Sequence, residues 1–531
     1  MKKRSFLFLL FLLIVILPLL GVYFLLILND TISSPIHIHL TWQNETNTTI
    51  TVTWQTDLSN SGDLVLYDNI SHGAEPSAYR HNVTGINYTY TGASGYIHEV
   101  ELTSLTPDTV YYFICGGPKG GYSIERSFRT APSASSHVRF VVGGDSRSQP
   151  TEREEVSQAM AKFNPAFVMH SGDMVADGRI QSNWDTWFSD LHSNWIGTNN
   201  QTIPIIPAIG NHEENSVNYY GQFALPGNEM WFSYNWGPDI HIVVLSTETT
   251  ISGAQKTWLE SDLANHSDFK WKFAILHQPP FPATRPAGNA GVLAEWVPLF
   301  DKYHVDIVFS GHDHSYLRSQ PINWTASQTQ PQPYENGTVY ITSAGWGAPL
   351  YSLRSHWYDA YGAEKNHFCL IDVFKNGSLH IQAKDIQGST FDEVWIVKNI
   401  SLPLSMSINI TTSTNQSALP IDLTWNATGI IDHYKVYIDG QFKQYLASIV
   451  KSYKITNLTE GNHMIDVAAF DPLGNSINAT KTLTLTVEEG EQPDIFNLDF
   501  PWWLVGVIIS ETIAIIALAF MDLKKGIFRK D

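Results

Sequence analysis

Gly311-His312-Asp313-His314 follows the apolar run at 305–309 (Val-Asp-Ile-Val-Phe), and the reading of that junction decides the architecture of the middle of the chain. The run is short, β-branched and followed at once by glycine, so it reads as a buried strand rather than a helix. Two imidazoles then stand just past its carboxyl end. Upstream the same arrangement recurs four times: 138–142 before Gly144-Asp145, 166–170 before Gly172-Asp173, 203–209 before Gly210-Asn211-His212-Glu213, and 271–276 ending at His277. Segments with helical spacing lie between, at 152–163, 181–191, 254–264 and 290–303. Alternation of this kind implies helices packed over central sheets. Ligands of open α/β sheets gather at the carboxyl edge of the strands, which is where each of these polar groups falls. Beyond 339 the chain is β again, with 368–373 and 378–383 flanking the hairpin signal Lys375-Asn376-Gly377.

The residue types carry a chemistry. Two carboxylates, one amide and three imidazoles are oxygen and nitrogen donors suited to zinc, manganese or iron. Together Asp145, Asp173, Asn211, His277, His312 and His314 make a candidate two-metal site, an arrangement used in phosphate-ester hydrolysis. The net charge of −19 over 531 residues argues against a nucleic-acid scaffold and against attraction to anionic lipid. A phosphate substrate must therefore be held by local positive charge, which bound metal ions would supply.

Around this middle region, 137–400, lie two stretches of short alternating strands. Residues 35–132 read as a β-sandwich similar to a fibronectin type III module, closed by Phe128-Arg129-Thr130-Ala131-Pro132. Residues 405–488 read as an immunoglobulin-like β-sandwich with no ligand cluster. The apolar runs at 6–28 and 502–521 are of about membrane-spanning length; the first reads as an anchor or a signal peptide, the second as a transmembrane helix. Lys2-Lys3-Arg4 precedes the first, and Lys524-Lys525 and Arg529-Lys530 follow the second, so both tails are expected in the cytoplasm and the catalytic region outside the cell membrane. Asn-x-Ser/Thr sequons, among them Asn44, Asn82, Asn200, Asn336, Asn409 and Asn478, agree with an exported, glycosylated protein. The two cysteines, Cys115 and Cys369, read as buried thiols rather than a disulfide framework.

The five motifs in this order resemble those of the calcineurin-like metallophosphoesterases, and the sandwich before them resembles the purple acid phosphatase branch. The resemblance covers about residues 35–400. It implies a four-layer αββα catalytic domain holding two di- or trivalent ions (iron, zinc or manganese). Asp173 would bridge them, Asp145 and His314 would hold the first, and Asn211, His277 and His312 the second. His212 would assist the leaving group and Glu213 would orient His212. A water shared by the cations would attack phosphorus in line, most simply in a phosphate monoester; a diester or nucleotide is the alternative. Two positions depart from the pattern. Ala176 replaces the tyrosine that gives the purple centre its colour, and Arg147 stands where the wider superfamily often has a histidine ligand. Arg147 stays protonated, so it would pair with substrate phosphate or with a neighbouring acid. Water or substrate, or else His170 or Asp177, would fill the place of the missing ligand.

The bland readings are kept beside these. His170 is expected as a buried, hydrogen-bonded imidazole, Asp313 as a turn residue or a support for the neighbouring ligands rather than a ligand, His98 as packing in the sandwich, and Trp184, Trp187 and Phe188 as core or the wall of a groove. Trp346, in a glycine-rich loop, would stack on substrate or pack. A rival of another class is a surface binding protein on a phosphatase-like scaffold. The oligomeric state is not legible.

Overall fold

The computed structural model describes residues 34–485, apart from 58, 60–61, 327–331, 333–335, 399–406, 413–418, 429–430, 432, 448–449 and 471–475. The apolar runs at 6–28 and 502–521 lie outside the described residues, and among those described no helix is long and apolar enough to cross a membrane.

Two mixed sheets form the centre. One runs Ile205–Pro207, Val168–His170, Val138–Gly143, His367–Val373, Ser378–Asp385, Thr390–Val397 in spatial order. Its first three strands are parallel and the rest antiparallel. The other runs Phe232–Trp236, Ile240–Val244, Trp271–Ile275, Ile307–Ser310, Val339–Ser343, Tyr316–Ser319, Asp359–Ala363. Four of these are parallel neighbours. The sheets face each other: Phe140 of the first packs on Phe273 of the second, with centroids 5.6 Å apart. Alternation explains why the central parallel strands of the second sheet are largely apolar on both faces. Phe273 and Ile275 join the core shared with the first sheet. Ala274 and Leu276 point the other way, into a core with Leu259, Leu263, Val292, Trp296 and Phe300 of the helices Ala254–Asn265, Ala290–Glu295 and Val297–Tyr303. Strands buried on both faces read as continuous apolar runs, as these do.

Some elements depart from expectation. The helix expected over 290–303 is two helices, Ala290–Glu295 and Val297–Tyr303, broken where Pro298 cannot donate to the ladder. The strand expected over 122–130 is two pieces, Gly121–Tyr122 and Arg126–Arg129. The strands Phe232–Trp236, Tyr316–Ser319, Asp359–Ala363 and Thr390–Val397 were not expected.

The N-terminal sheets are Ile36–Thr41, Ile50–Thr56, Tyr96–Leu102, Ile86–Tyr88, and His81–Thr84, Leu64–Asp68, Val110–Gly117, Gly121–Tyr122, with Arg126–Arg129 also on Val110–Gly117. Trp42, Trp54, Phe113 and Phe128 fill the space between them. This sandwich is docked on the central domain. Tyr234 donates to the Trp42 carbonyl at 2.5 Å, and Trp42 packs edge-on against Trp236 at 5.8 Å. His98 packs flat on Trp54 within the sandwich and bonds Asp63 at 2.6 Å. Cys115 and Cys369 are both free and buried.

The described residues beyond 402 form a second unit. Its described strands make a sheet of Ser407–Thr412, Ile421–Thr428, Ser452–Ile455 and another of Gln441–Ala447, His433–Ile438, Gly461–Phe470, Ser476–Leu485, around Trp425, Tyr434, Val436 and Val467.

Candidate metal centre

Three of the parallel strands, Val138–Gly143, Val168–His170 and Ile307–Ser310, are followed by a sharp turn made by a candidate ligand. Asp145 (φ 57°), Asp173 (φ 57°) and His312 (φ 69°) all adopt the left-handed conformation that side chains other than glycine rarely take. Such strain persists only where its surroundings impose it, and it gathers at functional sites. The glycines beside them leave no room for a side chain. A Cβ on Gly311 would lie 2.5 Å from Asp145 Oδ2 and 3.0 Å from His277 Nδ1.

Backbone bonds join neighbouring loops within each sheet, and one side chain bridges the sheets. Asp145 N–H donates to Gly172 O (2.9 Å), Gly311 N–H to His277 O (3.0 Å), and His277 Nδ1 to Ser171 O across the sheets (2.8 Å). The result is one cluster. Asp145, Asp173 and His277 each offer a ligand atom, all within 4.8 Å of one another. His277 Nε2 lies 3.0 Å from Asn211 Oδ1, 3.3 Å from Asp173 Oδ1 and 3.2 Å from His312 Nδ1. His314 Nε2 lies 3.2 Å from Asp145 Oδ1. All six expected ligands are thus brought together.

The tautomers follow from the outer partners. A carbonyl can only accept, so His277 carries its Nδ1 proton toward Ser171 O and His314 toward Pro349 O (2.8 Å). Their Nε2 lone pairs then face the cluster, as second-sphere carbonyls commonly arrange for metal-bound imidazoles. Asp145 Oδ1 is buried without a hydrogen bond. Several electron-pair donors therefore converge with too few protons among them, and this donor set fits cations. The charges agree. Burial alone would lower the His277 pKa, but Asp173 and Asp145 outweigh it and raise it to about 9. Burial would raise Asp145, but His314, His277 and His312 hold it below the usual carboxylate range.

Glu213 does not orient His212. Its fully buried carboxylate accepts from the N–H groups of Gly210 (2.7 Å), Asp173 (2.8 Å) and Met174 (2.8 Å), fastening two ligand loops together. Burial, then the Asp173 charge, raises its pKa to about 7. His212 is oriented instead by the Ala176 carbonyl, which accepts from Nδ1 at 2.6 Å. Its Nε2 stands 3.8 Å from Asp173 Oδ2 on a ring that is partly open to solvent.

Arg147 pairs with a neighbouring acid: Nε is 3.4 Å from Asp173 Oδ2, and a terminal nitrogen is 3.3 Å from His314 Nε2. His170 and Asp177 do not enter the cluster. His170 accepts from Gly172 N–H (3.1 Å) and donates to Ser146 Oγ (2.9 Å), while Asp177 pairs with Arg179. Asp313 is buried and accepts from Ala283 N, Thr284 N and Arg285 Nε. Trp184, Trp187 and Phe188 are core. Trp346 is core as well, its Nε1 donating to Ser157 Oγ at 3.0 Å, although the loop around it does pair with the ligand loop through Ala348 N–H to Asp145 O (2.7 Å). Sequence reading missed Tyr351, whose half-exposed ring stacks on His314 at 4.1 Å, and Arg285. Neither stands in a motif.

A second cluster, His241, Asp262 and His266, is internally satisfied: Asp262 accepts from Ser233 Oγ and pairs with His241, and His266 bonds the Asp262 carbonyl.

Comparison with known proteins agrees with the geometry. Residues 35–130 match the family described as purple acid phosphatase, N-terminal domain, and residues 138–316 the family described as calcineurin-like phosphoesterase. Acid phosphatase type 7 of Homo sapiens is 27% identical over 417 residues, covering 69% of this chain and 91% of that protein. Purple acid phosphatase 1 of Ipomoea batatas is 28% identical over 349 residues, covering 59% and 72%. Among solved structures, a purple acid phosphatase from yellow lupin (Lupinus luteus) seeds shares the fold with a TM-score of 0.60 at 20% identity, covering 69% of this chain and 74% of that one. With its sandwich, its five ordered motifs and their convergence on one cluster, the chain belongs to the calcineurin-like metallophosphoesterase superfamily, in its purple acid phosphatase-like part, and is a metal-dependent phosphoric ester hydrolase.

Proposed function

We propose that the protein hydrolyses phosphate monoesters at a two-metal centre on the outer face of a cell membrane. The observation that carries the catalytic part is the six-residue cluster with unpaired, buried Asp145 Oδ1. Asp145 and His314 would hold one cation, Asn211, His277 and His312 the other, and Asp173 would serve both. When bound, the ions supply Lewis acidity toward phosphate oxygens and lower the pKa of water. The chain's own residues do the rest. Ser171 O and Pro349 O fix which nitrogens of His277 and His314 face inward. Ala176 O holds the proton on Nδ1 of His212, so Nε2 is the nitrogen that can carry a proton to a departing alkoxide. Arg147 puts a permanent positive charge beside Asp173, placed to pair with a phosphate oxygen. Glu213 is a positioning residue that keeps the Asp173 and Asn211 loops in register.

The test is metal content and turnover together. About two ions per chain and hydrolysis of phenyl phosphate exceeding that of a diester support the reading. A folded protein that binds no metal, as expected of a binding module, overturns it.

The outer-surface part rests on the basic flanks of the runs at 6–28 and 502–521 and on the sequons. Protease digestion of intact cells checks it. A catalytic domain cleaved only after lysis would place it inside.

A further inference from the structure

We propose that Arg285 binds a second anionic group on the substrate, so that the enzyme favours phosphate compounds whose leaving group itself carries a phosphate or carboxylate. The proposal rests on the phosphoesterase reading above and names the substrate class of that site. Asp313 stands in the chain between the ligands His312 and His314, and its carboxylate is wholly buried. It holds Arg285 through Nε alone, at 2.7 Å. The two terminal nitrogens have no partner among the described residues, and the side chain is 44% exposed. A guanidinium held by one edge presents a planar pair of donors, the geometry that suits a carboxylate or phosphate.

The loop that carries Arg285 is fixed. It leaves the ligand His277 and returns at Asn289, whose N–H donates to Pro279 O (2.9 Å) and whose side chain donates to Gln278 (2.9 Å). A Cβ on Gly288 would collide with the Pro280 carbonyl, so only glycine closes the loop this tightly. Tyr358 donates to Pro282 O (2.8 Å) and Arg354 N–H to Ala283 O (3.0 Å), tying it to the loop past His314. Arg354 adds a second exposed guanidinium there, with no carboxylate partner among the described residues. In a chain of net charge −19, a guanidinium held by one edge on the carboxylate that stands between two ligands, with its other edge exposed, marks a place for an anion. For a nucleoside diphosphate the reaction balances simply: water adds to the terminal phosphorus, the bond to the bridging oxygen breaks, and the inner phosphate leaves with the electron pair. Arg285 would hold that inner phosphate.

The experiment compares wild type with Arg285→Gln and Arg285→Lys on ADP, phosphoglycolate and phenyl phosphate. The glutamine variant is expected to lose at least tenfold more kcat/KM on the two doubly anionic substrates than on phenyl phosphate, through KM, with partial recovery in the lysine variant. A selective loss on ADP alone identifies phosphate as the second group; on phosphoglycolate alone, carboxylate. Equal loss on all three makes Arg285 a loop-holding partner of Asp313 and overturns the proposal while leaving the phosphoesterase reading standing. A wild type that hydrolyses none of them ends both.

Discussion

His314 Nε2 stands 3.2 Å from Asp145 Oδ1, and neither atom has a proton to give the other when the imidazole is neutral. The His314 proton is committed to Pro349 O. Two acceptors held this close in a buried site cost free energy unless a cation lies between them. The fold has built an acceptor-rich well in which Arg147, beside Asp173 and His314, is a fixed positive charge.

Asp173→Asn should remove the shared carboxylate without loosening the backbone. Asp173 Oδ1 accepts from His212 N–H at 2.9 Å, and an amide oxygen can do the same. Turnover should fall by roughly 10³-fold or more, about 4 kcal/mol of transition-state stabilisation. Bound metal should fall below two ions per chain, with the circular dichroism spectrum unchanged. Wild-type rates would refute Asp173 as the bridge.

Glu213→Gln should act on the frame rather than on the chemistry. Oε2 serves Gly210 and Asp173, and Oε1 serves Met174. A glutamine keeps only one of those oxygens and turns an amide NH₂ toward the remaining N–H. An orphaned buried donor costs on the order of 1–3 kcal/mol. The expected result is a lower urea midpoint and metal affinity weakened by about 10–100-fold. Unchanged stability would show that the loops hold without this carboxylate.

The legible part of the site was the part written locally. Asp145, Asp173, Asn211 and His312 each follow a glycine just past an apolar run, and His277 directly ends one, so their place on the sheet edge is a matter of strand periodicity. The role of Glu213 was not local. Proximity in sequence suggested His212, but the carboxylate is spent on Asp173 and Met174, some forty residues away on another strand loop. Trp346 is a similar case. Glycines on both sides leave stacking on substrate and packing both open, and only the fold decides for packing, with the ring inserted beside His170 (4.9 Å) and Trp195 (5.2 Å). The unexpected strands Tyr316–Ser319 and Asp359–Ala363 are short and carry polar or glycine residues, so only pairing with Val339–Ser343 and with each other defines them.

Asp372→Asn should destabilise the first sheet in a pH-dependent way. Asp372 is directly opposite Arg139 in the antiparallel pair and accepts from its Nε at 2.9 Å and from His137 Nε2 at 2.6 Å. Burial would raise its pKa, but His137 and Arg139 outweigh burial and hold it below the usual carboxylate range. A depressed acid stabilises the fold above its unfolded pKa, and that contribution is lost as pH falls through the folded one. Wild type should therefore exceed the variant by about 3 kcal/mol near neutrality. The gap should close in acid, below the ordinary carboxylate range. Chemical denaturation across pH measures it; a constant gap would mean the loss is steric.

Arg147→Gly should tighten metal binding. The guanidinium touches His314 Nε2 and Asp173 Oδ2, atoms that would also face the first cation. Guanidinium and metal therefore compete for the same lone pair and repel one another. A unit charge at about 4 Å is worth ~4 kcal/mol even at an effective dielectric of 20, so a tenfold gain in affinity is a conservative expectation. Calorimetric titration should show it in one of two binding events, because Arg147 meets Oδ2 of Asp173 whereas His277 meets Oδ1. Phosphate affinity should move the opposite way, since the fixed cation beside the substrate is gone. If metal affinity stays put while phosphate affinity falls, Arg147 swings clear of the metal and serves the substrate alone. If both stay put, the pairing with Asp173 is its whole role.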